Sequence, residues 1–394
     1  MKRQGYVILV SLALVFCSFT LAPAFDGTIR VGLLEPLTGT AAIYGIPNRY
    51  AYEMATEDIN ASGGIKIGDK AYKIDLTVYD TKGVAAEGVA AFERLVTRDG
   101  IKLIVGITVS SVGLAIQPSA EQHKVLVLVT GASSPEISKI PNMYHARATT
   151  KHYAAGFVNL AVKELGVKSV CFLIDRLHPG WMMMESSVES RLRDAGVKVV
   201  SKQHYVHNET DFYTQLTTLK SSNPDLIMMM GGYANDDTKI WRQARELGLR
   251  AMMTTHLAGT EKEYLGMVDA KFVEGFMGVT TPLIDDLLKM KNPLAIKFNE
   301  VFSKKYNQAP GFTTLSAYDG MYILAAAIKK AGTYENVEAI KSALLNITPQ
   351  DIPQILEPVI PFEGRLFRPD RSVDFGVVWK RWENGQLKTI KILK

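Results

Sequence analysis

Short, continuous apolar runs alternate with amphipathic helical segments along nearly the whole chain. That alternation restricts the fold more than any other feature. TIRVGLL, YKIDLTVYD, KLIVGI and VLVLVT form a first series from about Thr28. SVCFLID, VKVVSKQHYV, DLIMMM, AMMTT and GFMGVTT form a second from about Lys168. Strands apolar along their whole length are buried on both faces, as in parallel sheets covered by helices. Helical periodicity falls at residues 45–61, 84–99, 111–123, 152–165, 181–195, 212–221 and 235–247, then at 293–306 and 314–331. The repeated βαβα order predicts an α/β protein of two doubly wound parallel-sheet lobes. Ligands of such sheets bind beyond the carboxyl ends of the strands, so the cleft between the lobes is the expected site. The β-rich tail GRLFRPDRSVDFGVVWKRW and the two late helices must be shared between lobes, so the chain crosses more than twice.

A chain of 394 residues is too long for one small core. Its first 24 residues stand apart. Lys2 and Arg3 precede an apolar run from about Tyr6 to Leu21, and Ala22-Pro23-Ala24 supplies small residues. This is the layout of a secretory signal, with cleavage expected after Ala24 and a periplasmic destination; the alternative is a retained anchor. Without this leader one cysteine is left, Cys171 in the apolar run SVCFLID, which reads as an inert core thiol. The net charge of +5 becomes +3 as Lys2 and Arg3 leave, too mild to argue for nucleic acid or membrane binding.

The chemistry-bearing motifs are few. The chain has no GxSxG elbow, Walker loop, GxGxxG fingerprint or HExxH pair. His204 and His207, three apart on an expected strand, face opposite sides and read as surface histidines, so no metal or cofactor is expected. The acid pairs Asp236-Asp237 and Asp285-Asp286 fall at helix starts, where they complement the dipole. Met182–Met184 and Met228–Met230 read as core or cleft lining.

The strand ends carry hydroxyls instead. Thr108, Ser110 and Ser111 follow KLIVGI, and GASSPEIS, with Ser133 and Ser134, follows VLVLVT. Either cluster alone reads as a helix cap. On consecutive strands they aim backbone N–H groups and hydroxyls at one point, the anatomy of a carboxylate site. Tyr44, Trp181, Tyr233 and His256 also follow expected strands and suggest cleft walls.

These stretches resemble the type I periplasmic solute-binding proteins of ABC importers, in the leucine/isoleucine/valine-binding branch. The likeness runs from about Thr28 to the C-terminus, through EPLTGTAAIYG, DINASGGI, LTVYDTKG, KLIVGITVSS, VTGASSPEIS, TDFYTQLTTLKSSNPDLI, GGYANDDTKIWRQARELGL and VEGFMGV. It implies two lobes joined by a three-strand hinge, one from residues 28–149 plus 282–356 and the other from 150–281 plus 357–394. It further implies a non-catalytic, monomeric protein that closes on a small carboxylate ligand and docks on a membrane permease. By position, Ser110, with Ser111 beside it, and Gly131, Ala132 and Ser133 hold the carboxylate; Tyr44 and Tyr233 pack on the ligand.

Two positions depart from the pattern. Pro179 stands where leucine-binding members carry a tyrosine, and His256 where they carry the glutamate that takes the ligand ammonium. An imidazole is a poor ammonium partner. The ligand is therefore expected to be a carboxylate that need not be an α-amino acid, with aromatic and aliphatic acids in view. Asp236 or Asp319 could replace the missing acid, which keeps an amino acid open. Other classes stay in view. A ligand-sensing regulator or receptor shares the fold, and a hydrolase would need Ser110 or Ser133 within reach of His256 or His178.

Overall fold

The computed structural model describes residues 24–393. All of the leader but Ala24 lies outside those residues. Six strands form the first sheet: β1 (Gly27–Glu35), β2 (Ile65–Ile67), β3 (Lys70–Asp80), β4 (Leu103–Gly106), β5 (Leu126–Val129) and β6 (Met143–His145). Their spatial order is β2-β3-β1-β4-β5-β6, parallel except for the β2–β3 edge. The direction of winding reverses between β1 and β4, so the loops after these strands part and leave a crevice.

The second sheet takes β7 (Ser169–Asp175), β8 (Lys198–Tyr205), β9 (Leu226–Met230), β10 (Met252–His256) and β11 (Met277–Thr280). β12 (Val359–Ile360) and β13 (Asp374–Phe375) form a small ribbon of their own, and β14 (Val377–Glu383) and β15 (Gln386–Leu393) return to the second sheet. Its order is β15-β14-β11-β10-β9-β7-β8, with β14 and β15 antiparallel. Both lobes are thus mixed at one edge rather than wholly parallel. β2 and β6 are three residues each, too short to stand out as apolar runs in the sequence.

Helices α1 (Ala42–Ala61), α2 (Ala85–Glu93), α3 (Ser110–Ala115) and α4 (Gln117–Gln122) belong to the first sheet's series. The second series carries α5 (Thr150–Asn159), α6 (Pro179–Asp194), α7 (Tyr213–Ser221), α8 (Ala234–Glu246), α9 (Glu261–Leu265) and α10 (Ala270–Val273). The chain then gives α11 (Ile284–Lys289), α12 (Pro293–Tyr306), α13 (Thr314–Ala331) and α14 (Val337–Leu345). α13 packs on α1 and reaches β4 and β5, so the late helices cover the first sheet, while α5 packs on β11 and β14 of the second. None of the described helices is long and apolar enough to cross a membrane.

Three crossings follow from that sharing. The chain passes over at residues 146–149, at 281–283 and again at 346–376. Buried Asp319 of α13 anchors the third by accepting the N–H groups of Leu356 (2.8 Å) and Glu357 (2.9 Å). Met228, Met229 and Met230 are wholly buried on β9 and act as core, each full burial being worth about 1.5–3 kcal/mol. Cys171 is likewise buried on β7, and burial pushes its thiol up to about 11, so it stays an unreactive thiol.

Candidate functional site

The crevice begins with a strained turn. β4 ends at Gly106 (φ 113°), and Ile107 follows with φ 63° although it is β-branched and wholly buried. Such a backbone stores about 1–3 kcal/mol and persists only where its surroundings hold it. Here the Ile107 N–H donates to the Leu34 carbonyl (2.8 Å), and its own carbonyl accepts from the Ala132 N–H (2.7 Å). The turn thereby ties the end of β1 to the loops after β4 and β5. Gly131 sits so close to Thr108 that a Cβ there would lie 2.5 Å from the Thr108 Cα, so only glycine lets the two loops touch.

The serines are not helix caps. Val109 occupies the N-cap of α3 with no side-chain cap, and Ser110 is the first helical residue. Its Oγ instead accepts from the Ser133 N–H (3.3 Å) and the Ser134 N–H (3.2 Å) of the next loop. Both bonds are long, and the three groups converge on one point. Ser110→Ala is expected to weaken binding of an anionic ligand by about 1.5–3 kcal/mol, the scale of a hydrogen bond to a charged group; unchanged affinity in titration calorimetry would reduce the serine to a staple between loops.

A cavity of about 80 Å³ opens at this point between the lobes. Tyr44, Ser110, Ser111, Gly131, Ser133, Tyr233 and His256 all line it. Ala132 does not; it is buried behind the wall, where its N–H bonds Ile107. Trp181 does not either. It lies within the first turns of α6, fully buried and stacked on Phe157 at 5.2 Å, so it backs the wall rather than forming it. The lobes meet across the cavity, where the Tyr44 hydroxyl accepts the Ala234 N–H at the start of α8 (3.2 Å).

Residues that the sequence did not place among the ligand contacts complete the lining. Arg147, in the first crossing, is 3% exposed, donates to the Gly131 carbonyl and the Tyr153 hydroxyl (2.8 Å), and lies 5.0 Å from the Phe312 ring. No carboxylate among the described residues forms an ion pair with it, and its Nε has no partner. His207 lines the cavity instead of facing solvent, because β8 ends at Tyr205, two residues before it. His178 lines it too, its Nδ1 accepting from the Trp181 N–H at the start of α6.

His256 packs 4.0 Å from the Tyr153 ring and 5.7 Å from Phe312, and neither ring nitrogen has a partner. Burial, with the Arg147 charge nearby, holds its pKa well below the usual histidine range, so it is neutral. No hydrogen bond among the described residues joins it or His178 to Ser110 or Ser133, and these serines lack the base a nucleophile needs. The cavity lining contains no aspartate or glutamate. Asp236 is turned to the Asn208 N–H and Asp319 to the third crossing, so neither replaces the acid missing at His256.

Under the floor, Thr108 donates to Glu35 and accepts from Asn48 Nδ2 (3.0 Å), and Asn48 accepts from Thr313 (2.9 Å). Burial pushes the Glu35 carboxyl up to about 8, and burial, partly offset by the Ser316 hydroxyl and the Arg147 charge, pushes Glu357 up to about 7. A carboxyl whose folded pKa is raised contributes stability that fades as pH climbs from its unfolded toward its folded value. His207 is raised by its bond to Asp175, and a raised histidine also loses its contribution as pH rises. The buried histidines with lowered pKa act below their unfolded value of about 6.5, outside this window. The melting temperature is therefore expected to fall from pH 6.5 to 8. Glu35→Gln should gain about 2 kcal/mol on the parent protein across that range, at 1.36 kcal/mol per pH unit. Parallel stability curves for the two proteins would refute the assignment.

The comparisons with known proteins agree with this architecture. A family model described as "Periplasmic binding protein" matches residues 28–367. A Leu/Ile/Val-binding protein of Rhizobium johnstonii is 27% identical over 336 residues, spanning 84% of this chain and 87% of its own. The crystal structure of a leucine binding protein from Thermotoga maritima superposes with a TM-score of 0.79 at 22% identity, covering 93% of this chain and 99% of the other. An ABC transporter solute binding protein from R. palustris in complex with 4-hydroxybenzoate gives 0.78 at 18% identity, covering 93% and 97%. The two-lobed α/β architecture and the span of the match place this chain in the periplasmic binding protein family.

Proposed function

We propose that the protein is the substrate-binding component of an ABC importer, working in the periplasm, and that its ligand is a small aromatic carboxylate. The carrying observation is the charge of the cavity wall. It holds a buried arginine that makes no ion pair and a neutral histidine, and no acid lines it; the one carboxyl near Arg147, Glu357, lies behind the wall with its pKa pushed up to about 7. An incoming carboxylate would supply the missing charge for Arg147 and take hydrogen bonds from the Ser110 hydroxyl and the Ser133 N–H. Charge-assisted bonds of this kind are strongest where water is excluded. An α-ammonium group would meet the guanidinium and an imidazole instead. Tyr44, Tyr233 and Phe312 offer ring faces for a planar apolar body. The neighbour with 4-hydroxybenzoate supports this reading at the level of fold.

Closure follows from differential affinity. Ligand contacts with both lobes favour the state in which Tyr44 reaches Ala234, and a permease would receive that state. The relatives named for branched-chain amino acids support a second reading, an amino-acid ligand. A thermal-shift and calorimetric panel separates the two. Benzoate and its relatives should raise the melting temperature while L-leucine, L-isoleucine and L-valine should not, since a ligand at a hundredfold its Kd adds about 2.7 kcal/mol. A shift with the amino acids alone would overturn the proposal.

A further inference from the structure

The far end of the cavity is built around an oriented imidazole. Asp175, wholly buried at the end of β7, accepts the Leu177 N–H with one oxygen (2.9 Å) and pairs with His207 Nδ1 through the other (3.0 Å). Both carboxylate oxygens are engaged, so the imidazole is held with Nδ1–H toward Asp175. His207 Nε2 has no hydrogen-bond partner among the described residues, and His207 lines the cavity. The Tyr233 ring stands 4.9 Å from it and fixes its other side.

This end belongs to the second lobe, whereas Ser110 and Ser133 belong to the first. Contacts run from Arg147 to Phe312 (5.0 Å), from Phe312 to Tyr44 (6.4 Å), across the Tyr44–Ala234 hydrogen bond to the adjoining Tyr233, and on to His207. A ligand whose carboxylate rests on Arg147 and Ser110 therefore directs its other end toward His207. The charge there is the reverse of that at Arg147. Asp175 stands behind His207, and Asp236, also buried, has an oxygen without a partner nearby. A second carboxylate would be repelled, and an apolar tip would leave Nε2 unsatisfied.

Resting on the aromatic-carboxylate reading above, we infer that His207, oriented by Asp175, accepts a hydrogen bond from a hydroxyl on the ligand, so that the site selects hydroxylated aromatic acids over unsubstituted ones. Selectivity of this kind comes from the site: the His207 side chain is 27% exposed, and a ligand that covers it takes Nε2 away from water, so an acceptor then left unpaired penalises the ligand that lacks the donor.

The test is titration calorimetry of the purified protein with benzoate, 3-hydroxybenzoate, 4-hydroxybenzoate and 4-methoxybenzoate in alkaline buffer, above the range in which Asp175 holds a second proton on His207 and Nε2 would donate. One hydroxybenzoate should bind about tenfold tighter than benzoate, the scale of one hydrogen bond with a committed partner. The methoxy acid, which cannot donate, should show no such gain. His207→Leu should lose the hydroxyl preference, read as the ratio of hydroxybenzoate to benzoate affinity within that variant, and His207→Gln, which keeps an acceptor, should retain part of it. Asp175→Asn should weaken the preference without abolishing benzoate binding. Equal affinities for benzoate and both hydroxybenzoates in the parent protein, or a preference that survives in His207→Leu, would overturn the inference and leave the aromatic-carboxylate reading standing. Failure of every aromatic acid to bind would overturn both.

Discussion

Replacing Arg147 by methionine is expected to lower affinity for the carboxylate ligand by on the order of a hundredfold or more. The side chain is 3% exposed and lines the cavity, and its two recorded partners are both neutral, the Gly131 carbonyl and the Tyr153 hydroxyl. A buried guanidinium whose hydrogen-bond partners are neutral, with only the Glu357 carboxyl behind it, is expensive to desolvate, and a bound anion relieves much of that expense. Truncating one member of such a buried charge pair typically costs about 2–5 kcal/mol, which is about thirtyfold to several thousandfold in Kd. Arg147→Lys should fall between, since lysine keeps the charge but not the planar fork that can hold Gly131, Tyr153 and a carboxylate together. The measurement is calorimetry with the tightest aromatic acid, alongside thermal unfolding of each variant to confirm a cooperative fold. Affinity within threefold of the parent for a folded Arg147→Met protein would remove the arginine from the site, and with it the main electrostatic ground for an anionic ligand.

Why Arg147 escaped the sequence while Ser110 did not is a matter of what is local. Ser110 and Ser133 announce themselves because each follows a continuous apolar run, KLIVGI or VLVLVT, and strand ends are where α/β folds gather ligands. Arg147 sits in the crossing at residues 146–149, which belongs to no strand or helix, and its meaning depends on Gly131 and Phe312, distant along the chain. His207 was legible as a histidine but not as a wall residue. An expected strand extended through Val206 gives it a face by alternation, whereas β8 stops at Tyr205 and the next turn swings the ring onto Asp175 and Tyr233. Trp181 failed in the opposite sense: position after a strand suggested a wall, but α6 begins at Pro179, and its first turns place Trp181 against Phe157 in the core. The helices at 293–306 and 314–331 agree with the structure to the residue because their apolar spacing is long and regular, while β2 and β6 are too short to carry a pattern.

The second large effect concerns specificity and should appear in His256→Glu. His256 ends β10, 3% exposed, with both ring nitrogens unpartnered and Tyr153, Phe312 and Trp181 around it. A carboxylate in that position would be too costly to bury alone, and its pKa would rise unless it found a cation. Arg147 is close enough that its charge already depresses the His256 pKa, so the new glutamate would ionise against it. Two consequences of opposite sign follow. The aromatic acid should lose at least tenfold in affinity, because the arginine it uses is now neutralised within the protein. An α-amino acid should gain at least tenfold, because its ammonium meets an acid where it met an imidazole, and its carboxylate still has Ser110 and the Ser133 N–H. L-leucine and L-phenylalanine in the same calorimeter, beside the best aromatic acid, read both changes at once. If the amino acids gain nothing, the lack of an acid in the wall is not what excludes them. If the aromatic acid binds undiminished, Arg147 and His256 do not share the electrostatic field that the cavity's geometry gives them.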